Sequence, residues 1–153
     1  MITLDDTDRR ILNLIQRDCA LTNQELAERA HVSAPTCLRR VRRLVEEGVI
    51  ERQIAIVSPE ALGVGLTAIV EVTMERQSAE LLEEFEQRLN DETAVQQCYR
   101  VSAGPDFVLV VYVADMPAYH AFAHRALSAH ANVRNVRSFF SVRRSKFAPS
   151  IPA

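Results

Sequence analysis

Four arginines occupy five consecutive positions of the chain: Arg39, Arg40, Arg42 and Arg43. A guanidinium group can donate two parallel hydrogen bonds to guanine or to a phosphate, which suits this residue type to nucleic acid. No acid occurs within the cluster and the first to follow is Glu46, whereas a merely solvated helix face usually mixes both signs of charge. We therefore expect these side chains to contact DNA, although the net charge of the chain is −2, because phosphate responds to local charge.

Three short helices are predicted to position this cluster. The first begins at the acids around Asp5, which can cap a helix and favour its N-terminus. The second opens at Thr22, whose side chain can form a capping box with Glu25. The third begins at Ser33, after a break of three residues, and ends at Gly48. A short helix, a tight turn and a basic helix together predict a helix-turn-helix.

The third helix separates its apolar residues from its arginines. At about 100° per residue, the apolar positions fall within roughly one third of its circumference, and the arginines lie on or beside the opposite face. Such a helix can pack on a core while its other face enters the major groove of DNA. Hydroxyl side chains near its N-terminal end could approach a phosphate or a base edge. The predicted DNA contacts are therefore Ser33, Thr36, Arg39, Arg40, Arg42 and Arg43.

The second half of the chain alternates between strand and helix periodicity in the order β-α-β-β-α-β, the split βαβ or ferredoxin-like arrangement. The antiparallel sheet of such a domain carries both helices on one face, and apolar residues on its other face favour dimerisation. The predicted strands are 66–74, 95–102, 107–114 and 133–142, and the predicted helices are 79–89 and 115–127. A further short strand is predicted at 54–57, before Ser58-Pro59.

These elements predict an α+β fold, in which an N-terminal helix-turn-helix (winged-helix-like) domain is joined to a C-terminal ferredoxin-like βαββαβ domain. The predicted boundaries are 1–50 for the DNA-binding domain, 51–62 for a hinge strand and linker, and 63–153 for the ferredoxin-like domain, which we expect to oligomerise. The length of 153 residues accommodates two small domains of this kind.

The sequence contains no motif that indicates a membrane protein, a disulfide-rich protein or an enzyme. The longest apolar run, Phe107–Ala114, is too short for a membrane span, and the acidic start lacks a signal-peptide layout, so we expect a cytoplasmic protein. Three cysteines without a CxxC pair argue against a disulfide framework and a thiolate zinc site. No nucleophile motif, phosphate-binding loop or dinucleotide fingerprint occurs. We therefore predict no enzyme activity, no catalytic residues, no metal site and no cofactor.

Three motifs follow one another through the first 50 residues. They read Leu4-Asp5-x-x-Asp8-x-x-Ile11-Leu12, then Glu25-Leu26-Ala27-Glu28, then Val32-Ser33-x-x-x-Cys37-x-x-Arg40-Val41-x-x-Leu44-x-x-x-Gly48-Val49-Ile50. In this combination the chain resembles the Lrp/AsnC (leucine-responsive, feast/famine) family of transcription regulators, and the elements of the second half continue the resemblance. The resemblance implies a sequence-specific DNA-binding transcription regulator whose assembly or DNA affinity responds to a small metabolite, in particular an amino acid.

The same resemblance implies that the second domain binds this effector, that two chains pair through the sheet as a homodimer, and that dimers assemble further, often to octamers. The family places the effector at the loop between the second and third strands, in the pattern Gly-x-x-Asp followed by an aromatic residue. Here Asp106 and Phe107 match that pattern. Ala103 holds the glycine position and Gly104 follows it, which predicts a different ligand or weaker binding.

The candidate effector residues are Ala103, Gly104, Asp106 and Ser138, the last of which matches a hydroxyl position of the family. A carboxylate could accept from the ammonium group of an amino acid, and main-chain N–H groups could hold its carboxylate. For Asp106 an alternative stays open, in which the carboxylate only caps a turn.

A second hypothesis, from another class of protein, also stays open at this point: an amino-acid-binding regulatory subunit of a metabolic enzyme, with the first domain as a protein-interaction module. The acidic helix within 80–92 and the open sheet fit this alternative, but it leaves the arginine row unexplained. Salt dependence discriminates between the two, because release of counterions makes DNA affinity fall steeply with salt.

Overall fold

The computed structural model describes residues 3–153, which form two compact units. The first unit contains the chain up to Ile56 together with residues 146–153, and the second contains Val57–Ser145. Residues 146–153 therefore group with the helices, whereas the sequence places them in the ferredoxin-like domain. The boundaries of the two domains stay predictions.

Three helices make up the first unit, and side-chain caps fix where they begin. The helices are α1 (Asp6–Arg17), α2 (Asn23–Ala30) and α3 (Ala34–Glu46). Asp5 forms a capping box with Asp8, and Thr22 forms the predicted box with Glu25. The three predicted helices are thus confirmed, and the capping residues of α2 and α3 are those expected from the sequence.

A tight turn brings α2 against α3. His31 adopts the left-handed conformation with φ of 58°, and the Val32 N–H donates back to the Ala27 carbonyl at 3.0 Å. The Asn23 side chain donates to the Ala34 carbonyl at 2.9 Å, which ties the start of α2 to the start of α3. The apolar side chains buried beneath the three helices are Ile11, Leu12, Ile15, Leu26, Ala27, Ala30, Cys37 and Leu44.

The segment after α3 does not form the predicted strand. Residues 51–58 have no regular secondary structure, and Ile54, Ile56 and Val57 are exposed. The prediction of a strand at 54–57 is wrong for the single chain. A strand needs a neighbour that exchanges main-chain hydrogen bonds with it, and no strand of the described chain lies beside this segment.

The second unit is a four-stranded antiparallel sheet with two helices. Its elements are β1 (Leu66–Met74), α4 (Ala79–Asn90), β2 (Val95–Arg100), β3 (Phe107–Val113), α5 (Met116–Phe122) and β4 (Val133–Phe140). A wider, π-helical stretch continues α5 to Ser128. The strand order is β2-β3-β1-β4, so the predicted ferredoxin-like βαββαβ arrangement is confirmed.

One face of this sheet packs on the helices and the other is open. Alternate residues of β1 and β3 are buried against Phe85 of α4 and Phe122 of α5. On the other face, the strand register places Ile69 of β1 between Val110 of β3 and Phe139 of β4. Ile69 and Phe139 are exposed there, so the sheet has the uncovered apolar face that the sequence predicts.

Candidate DNA-binding surface and effector loop

Arg39 and Arg42 lie on the side of α3 opposite its buried residues Cys37 and Leu44. Both arginines are exposed, and neither has an ion-pair partner within residues 3–153. Guanidinium is the side-chain group best matched to phosphate and to guanine. These two side chains are therefore available to a nucleic acid in the single chain.

Arg40 and Arg43 instead reach across to α1. Nη1 of Arg40 lies 2.8 Å from Oδ1 of Asp8 and 2.8 Å from Oδ2 of Asp5. Nη2 of Arg43 lies 2.5 Å from Oδ2 of Asp8. The Asp8 side chain is only 1% exposed, whereas Arg40 is 21% and Arg43 is 43% exposed. A buried carboxylate without a partner is strongly destabilising, so Asp8 depends on these two arginines. The ion pairs thereby hold α3 against the start of α1.

The capping box and the arginines act on the same carboxylates. The main-chain N–H of Asp8 and the guanidinium of Arg40 lower the pKa of Asp5 to about 2. Hydrogen bonds from Arg40 to Asp5 and to Asp8 raise the pKa of Arg40 in turn. The buried Nε atoms of Arg40 and Arg43 find no acceptor within the described residues. Asp5 therefore stays ionised near neutral pH, and the contact keeps two unsatisfied donors.

This pairing is a finding of the structure. From the sequence, Asp5 and Asp8 are expected only to begin a helix, and all four arginines are expected to face DNA. A signal is nevertheless present, because Asp5 and Asp8 are three residues apart at the start of α1, and Arg40 and Arg43 are three residues apart on α3. Residues at this spacing share one helix face, so two such pairs of opposite sign can meet where the helices pack.

Ser33 and Thr36 lie at the N-terminal end of α3. Oγ of Ser33 donates to Oγ1 of Thr36 at 2.9 Å, which leaves the Thr36 proton for another acceptor. The Ser33 side chain caps no main-chain N–H of the helix. Because the first N–H groups of a helix have no intrahelical partner, this end can bind an anionic group.

The predicted effector loop between β2 and β3 is fastened to β1 by Asp106. The Asp106 N–H donates to the Val72 carbonyl at 2.9 Å, and Oδ2 of Asp106 accepts the Met74 N–H at 2.6 Å. Its other carboxylate oxygen has no hydrogen-bond partner within residues 3–153. Ala103 and Gly104 are exposed at the tip, where Gly104 has φ of 87°, which side chains disfavour. The carboxylate thus holds the loop and keeps one oxygen available.

Ser138 lies apart from this loop. Its hydroxyl shares a hydrogen bond with that of Tyr119 from α5, on the side of the sheet that the helices cover. The register places Ser138 opposite Val70 of β1, whereas the loop carboxylate binds at Met74. Four residues along a strand span about 13 Å. Within one chain, the structure therefore does not bring Ser138 together with residues 103–106.

A cavity of about 390 Å³ lies at the opposite end of β1. Gly65 lines it at a point where an added Cβ would stand 2.7 Å from the Ala114 carbonyl oxygen, so a larger residue would clash there. The polar side chains that line the cavity are Glu60, Thr67, Ser141, Arg143 and Arg144. No pattern in the sequence predicts this grouping, because its members come from segments far apart along the chain.

Three other features concern metals, thiols and membranes. Within residues 3–153, no three His, Cys, Asp or Glu side chains come together in a way that could hold a metal ion. Cys19, Cys37 and Cys98 are free thiols, and burial raises the pKa of the last two. No helix of the described chain is long and apolar enough to cross a bilayer.

Models of known protein families match both halves of the chain. A family model described as the Lrp/AsnC ligand binding domain matches residues 67–151, and a winged helix-turn-helix DNA-binding model matches residues 4–51. An uncharacterized HTH-type transcriptional regulator of Haemophilus influenzae is 40% identical over 140 residues, which cover 92% of this chain and 83% of that protein. The leucine-responsive regulatory protein of Rhizobium meliloti is 38% identical over 147 residues, which cover 96% and 94% of the two chains.

A solved structure shares the fold along nearly the whole chain. The crystal structure of a transcriptional regulator from Neisseria meningitidis, in complex with L-Met, matches with a TM-score of 0.91 at 33% identity and covers 98% of this chain and 97% of that one. The resemblance drawn from the motifs of the first 50 residues is thereby confirmed. The chain belongs to the Lrp/AsnC family of transcription regulators.

Proposed function

We propose that this regulator reads specific DNA sequences through α3, with Arg39 and Arg42 as the principal contacts. The observation that carries the proposal is the exposure of both guanidinium groups opposite the buried side of α3, without an acid partner in the described chain. An α-helix fits the major groove, where arginine donates to O6 and N7 of guanine. Action on chromosomal DNA would place the protein in the cytoplasm.

The other predicted contacts have supporting roles in this proposal. Arg43 is 43% exposed and can offer its outer N–H groups to a phosphate, while Arg40 mainly holds α3 in place. The Thr36 hydroxyl and the first turn of α3 supply donors to a second phosphate, and Ser33 holds Thr36 in place by donating to its oxygen. Phosphate contacts position the helix, and contacts to base edges specify the sequence.

Two copies would pair through the open face of the sheet. Ile69 and Phe139 expose apolar surface at the centre of this face, and the Glu71–Arg137 ion pair at 3.4 Å borders it. A two-fold axis buries the same patch on both copies, so one apolar face suffices for a homodimer. The dimer presents two copies of α3 to a pseudo-palindromic operator. Further assembly of dimers, up to the octamer implied by the family, is part of the proposal.

The effector would be an amino acid bound at the loop between β2 and β3. The Neisseria regulator was solved as its L-Met complex, and the Rhizobium relative is named leucine-responsive. Asp106 keeps one oxygen for an ammonium group, and the exposed main chain at Ala103 and Gly104 can hold a carboxylate. Because Ser138 lies apart from this loop within one chain, we expect a second copy to complete the site.

The test is binding of the full chain to DNA from its own upstream region, with size-exclusion light scattering alongside. Each measurement is made with and without each of the common amino acids, and over a range of salt concentrations. We expect a dimer or larger assembly whose DNA affinity falls steeply with salt, because bound phosphates release counterions. One or a few amino acids should shift that affinity by a factor of about 5 to 150.

Two outcomes would contradict separate parts of the proposal. Absence of any sequence preference in a folded oligomer would overturn the assignment of α3 as the reading helix. Sequence-specific binding that no amino acid alters, in affinity or in assembly, would retain the DNA-binding role and overturn the 103–106 loop as an amino-acid site.

A further inference from the structure

Residues 151–153 bind along α1 through their main chain. The Gln16 carboxamide donates to the Ile151 carbonyl and accepts from the Ile151 N–H, both at 2.7 Å. The Asn13 carboxamide binds Ala153 in the same way: it donates to the main-chain oxygen at 3.2 Å and accepts from the N–H at 3.1 Å. Each carboxamide therefore satisfies both main-chain groups of one residue.

The spacing of the two carboxamides on α1 matches the spacing of the two main-chain residues that they bind. Asn13 and Gln16 are three residues apart on α1, so they are neighbours on the helix surface, about 5–6 Å apart at Cβ. In an extended segment, residues two apart, such as 151 and 153, carry their N–H and C=O groups on the same side, about 6.6 Å apart. A carboxamide presents one donor edge and one acceptor edge, so it reproduces the hydrogen-bond pattern of an adjacent strand.

Pro152 suits the middle of this segment. The N–H of a residue at this position would point away from α1, and proline has no N–H to leave unsatisfied. Proline also favours an extended conformation at Ile151 before it. The Ile151 side chain is 75% exposed, whereas Ala153 packs against the core of the first unit. Recognition therefore depends on the main chain and on one small side chain.

We propose that Asn13 and Gln16 form a binding site for an extended peptide, and that residues 151–153 of the same chain are its ligand. The site tolerates different side chains at position 151 but requires an N–H at 151 and at 153. Docking adds four hydrogen bonds to the first unit, whose core is small. The helical unit should therefore lose stability when the segment is released, while the sheet unit does not.

The first test is native-state hydrogen exchange of the Ile151 and Ala153 N–H groups in the full chain. We expect both to exchange at least about tenfold more slowly than in a free peptide of residues 146–153. The double variant Asn13→Leu with Gln16→Met keeps side-chain size closely and does not lower helix propensity, but it removes both carboxamides, so it should abolish this protection. Exchange as fast as in the free peptide without any substitution, or protection that survives the double variant, would overturn the proposal.

A matched control removes a carboxamide elsewhere. Gln24 is an exposed residue of α2 whose side chain contacts Glu28 at 3.4 Å, so Gln24→Met should leave the protection within about twofold of its original value. Slow exchange of the β1 and β3 amides verifies in every variant that the sheet unit remains folded. Loss of protection in Gln24→Met equal to that in the double variant would contradict a specific site on α1.

A pair of substitutions at one position separates main-chain from side-chain recognition. Ile151→Pro removes the N–H that Gln16 accepts, whereas Ile151→Ala removes only an exposed side chain. We expect the Ala153 N–H to lose its protection in Ile151→Pro and to keep it in Ile151→Ala. Equal loss in both variants would overturn recognition through the main chain.

The last arm identifies the chain that supplies the segment. The isotope-labelled double variant is unfolded and refolded with an excess of unlabelled chain that has no substitution. The labelled Ile151 and Ala153 N–H groups should remain unprotected, because each segment binds only to α1 of its own chain. Protection of these labelled N–H groups by the intact α1 of the unlabelled chain would assign docking to a second copy and overturn docking in cis.

Discussion

The two units differ in whether their predicted site residues already bind other groups of the same chain. In the first unit, Arg39 and Arg42 stay exposed and unpaired within residues 3–153, so one chain presents them directly. In the second, Asp106 accepts a main-chain N–H and Ser138 pairs with a tyrosine hydroxyl. A single copy of α3 thus presents its predicted DNA contacts directly, whereas the predicted effector residues Asp106 and Ser138 already bind other groups of the same chain.

The same contrast exists within α3 itself. Arg40 and Arg43 bind Asp5 and Asp8 at the start of α1, so we expect them to contribute to stability more than to recognition. Arg39 and Arg42 bind nothing in the described chain and are free for recognition. Substitutions at these positions should therefore separate into two groups with different measurable effects.

The largest effect is expected from Asp8→Ala. It removes a 1%-exposed carboxylate and leaves Arg40 and Arg43 without a common partner. We expect the free energy of unfolding to fall by about 3 kcal/mol, the lower end of the range for broken buried pairs because Arg43 is partly solvated. Chemical denaturation followed by helical circular dichroism measures this change.

Asp6→Ala is the matched control, because Asp6 lies on the same helix turn and is exposed. It should change the free energy of unfolding by no more than about 0.5 kcal/mol, as is usual at the surface. Equal effects of the two substitutions would show that helix-terminal charge, and not the buried pair, determines stability here.

The next effect concerns the open face of the sheet. Ile69→Glu would place a charge at the centre of the proposed dimer interface on both copies, where it has no partner. We expect dimer dissociation to become at least about a hundredfold easier, equivalent to about 2.7 kcal/mol. Light scattering over a dilution series measures it. Val142→Glu, at a fully exposed position beyond β4, should leave the dimer intact. An Ile69→Glu dimer of unchanged affinity would place the interface elsewhere.

A smaller effect is expected from Asp106→Asn. Asparagine can still accept the Met74 N–H, so the loop should keep its conformation while losing the charge offered to an ammonium group. We expect effector affinity to fall about tenfold, equivalent to about 1.4 kcal/mol, with unfolding unchanged. Calorimetric titration with the active amino acid measures this. The same substitution at exposed Asp91 serves as the control, and an unaltered affinity in Asp106→Asn would assign the carboxylate to the turn alone.

The smallest effect is a pH dependence at Asp5. Its pKa is lowered from 3.8 to about 2, so its contribution to stability is present above pH 3.8 and is lost as the pH falls through about 2. The first unit should therefore lose stability across this window, and Asp5→Asn should be less stable at neutral pH but less sensitive to acid. Acid titration of the helical signal compares the two proteins, and parallel titration curves would contradict the role of this carboxylate.

Most of the fold can be predicted because its signals are local. Thr22 and Glu25 mark the start of α2 within four residues, and the alternation of β1 shows which side chains face the helices. The strand at 54–57 is wrong because an apolar pattern does not supply the neighbour that a strand needs. Sequence reasoning thus succeeds where a residue and its immediate neighbours decide the structure.

The candidate sites can be predicted only in part. The basic face of α3 follows from helical periodicity, but the use of Arg40 and Arg43 by α1 depends on how two helices pack. The contact between the Gln16 side chain and the Ile151 main chain joins positions 135 residues apart, and neither residue type signals it. Such contacts depend on tertiary structure, so the sequence identifies the chemical groups and the fold decides which of them remain free.

In the proposed function, α3 offers DNA the two free guanidinium groups of Arg39 and Arg42, while acids hold those of Arg40 and Arg43. Measuring both DNA affinity and the free energy of unfolding in Arg39→Ala, Arg42→Ala and Arg40→Ala tests this division of roles. We predict that each of the first two lowers affinity by about 1–3 kcal/mol with unfolding unchanged, and that Arg40→Ala mainly lowers stability. Unchanged DNA affinity in both Arg39→Ala and Arg42→Ala would show that α3 does not read DNA through these side chains.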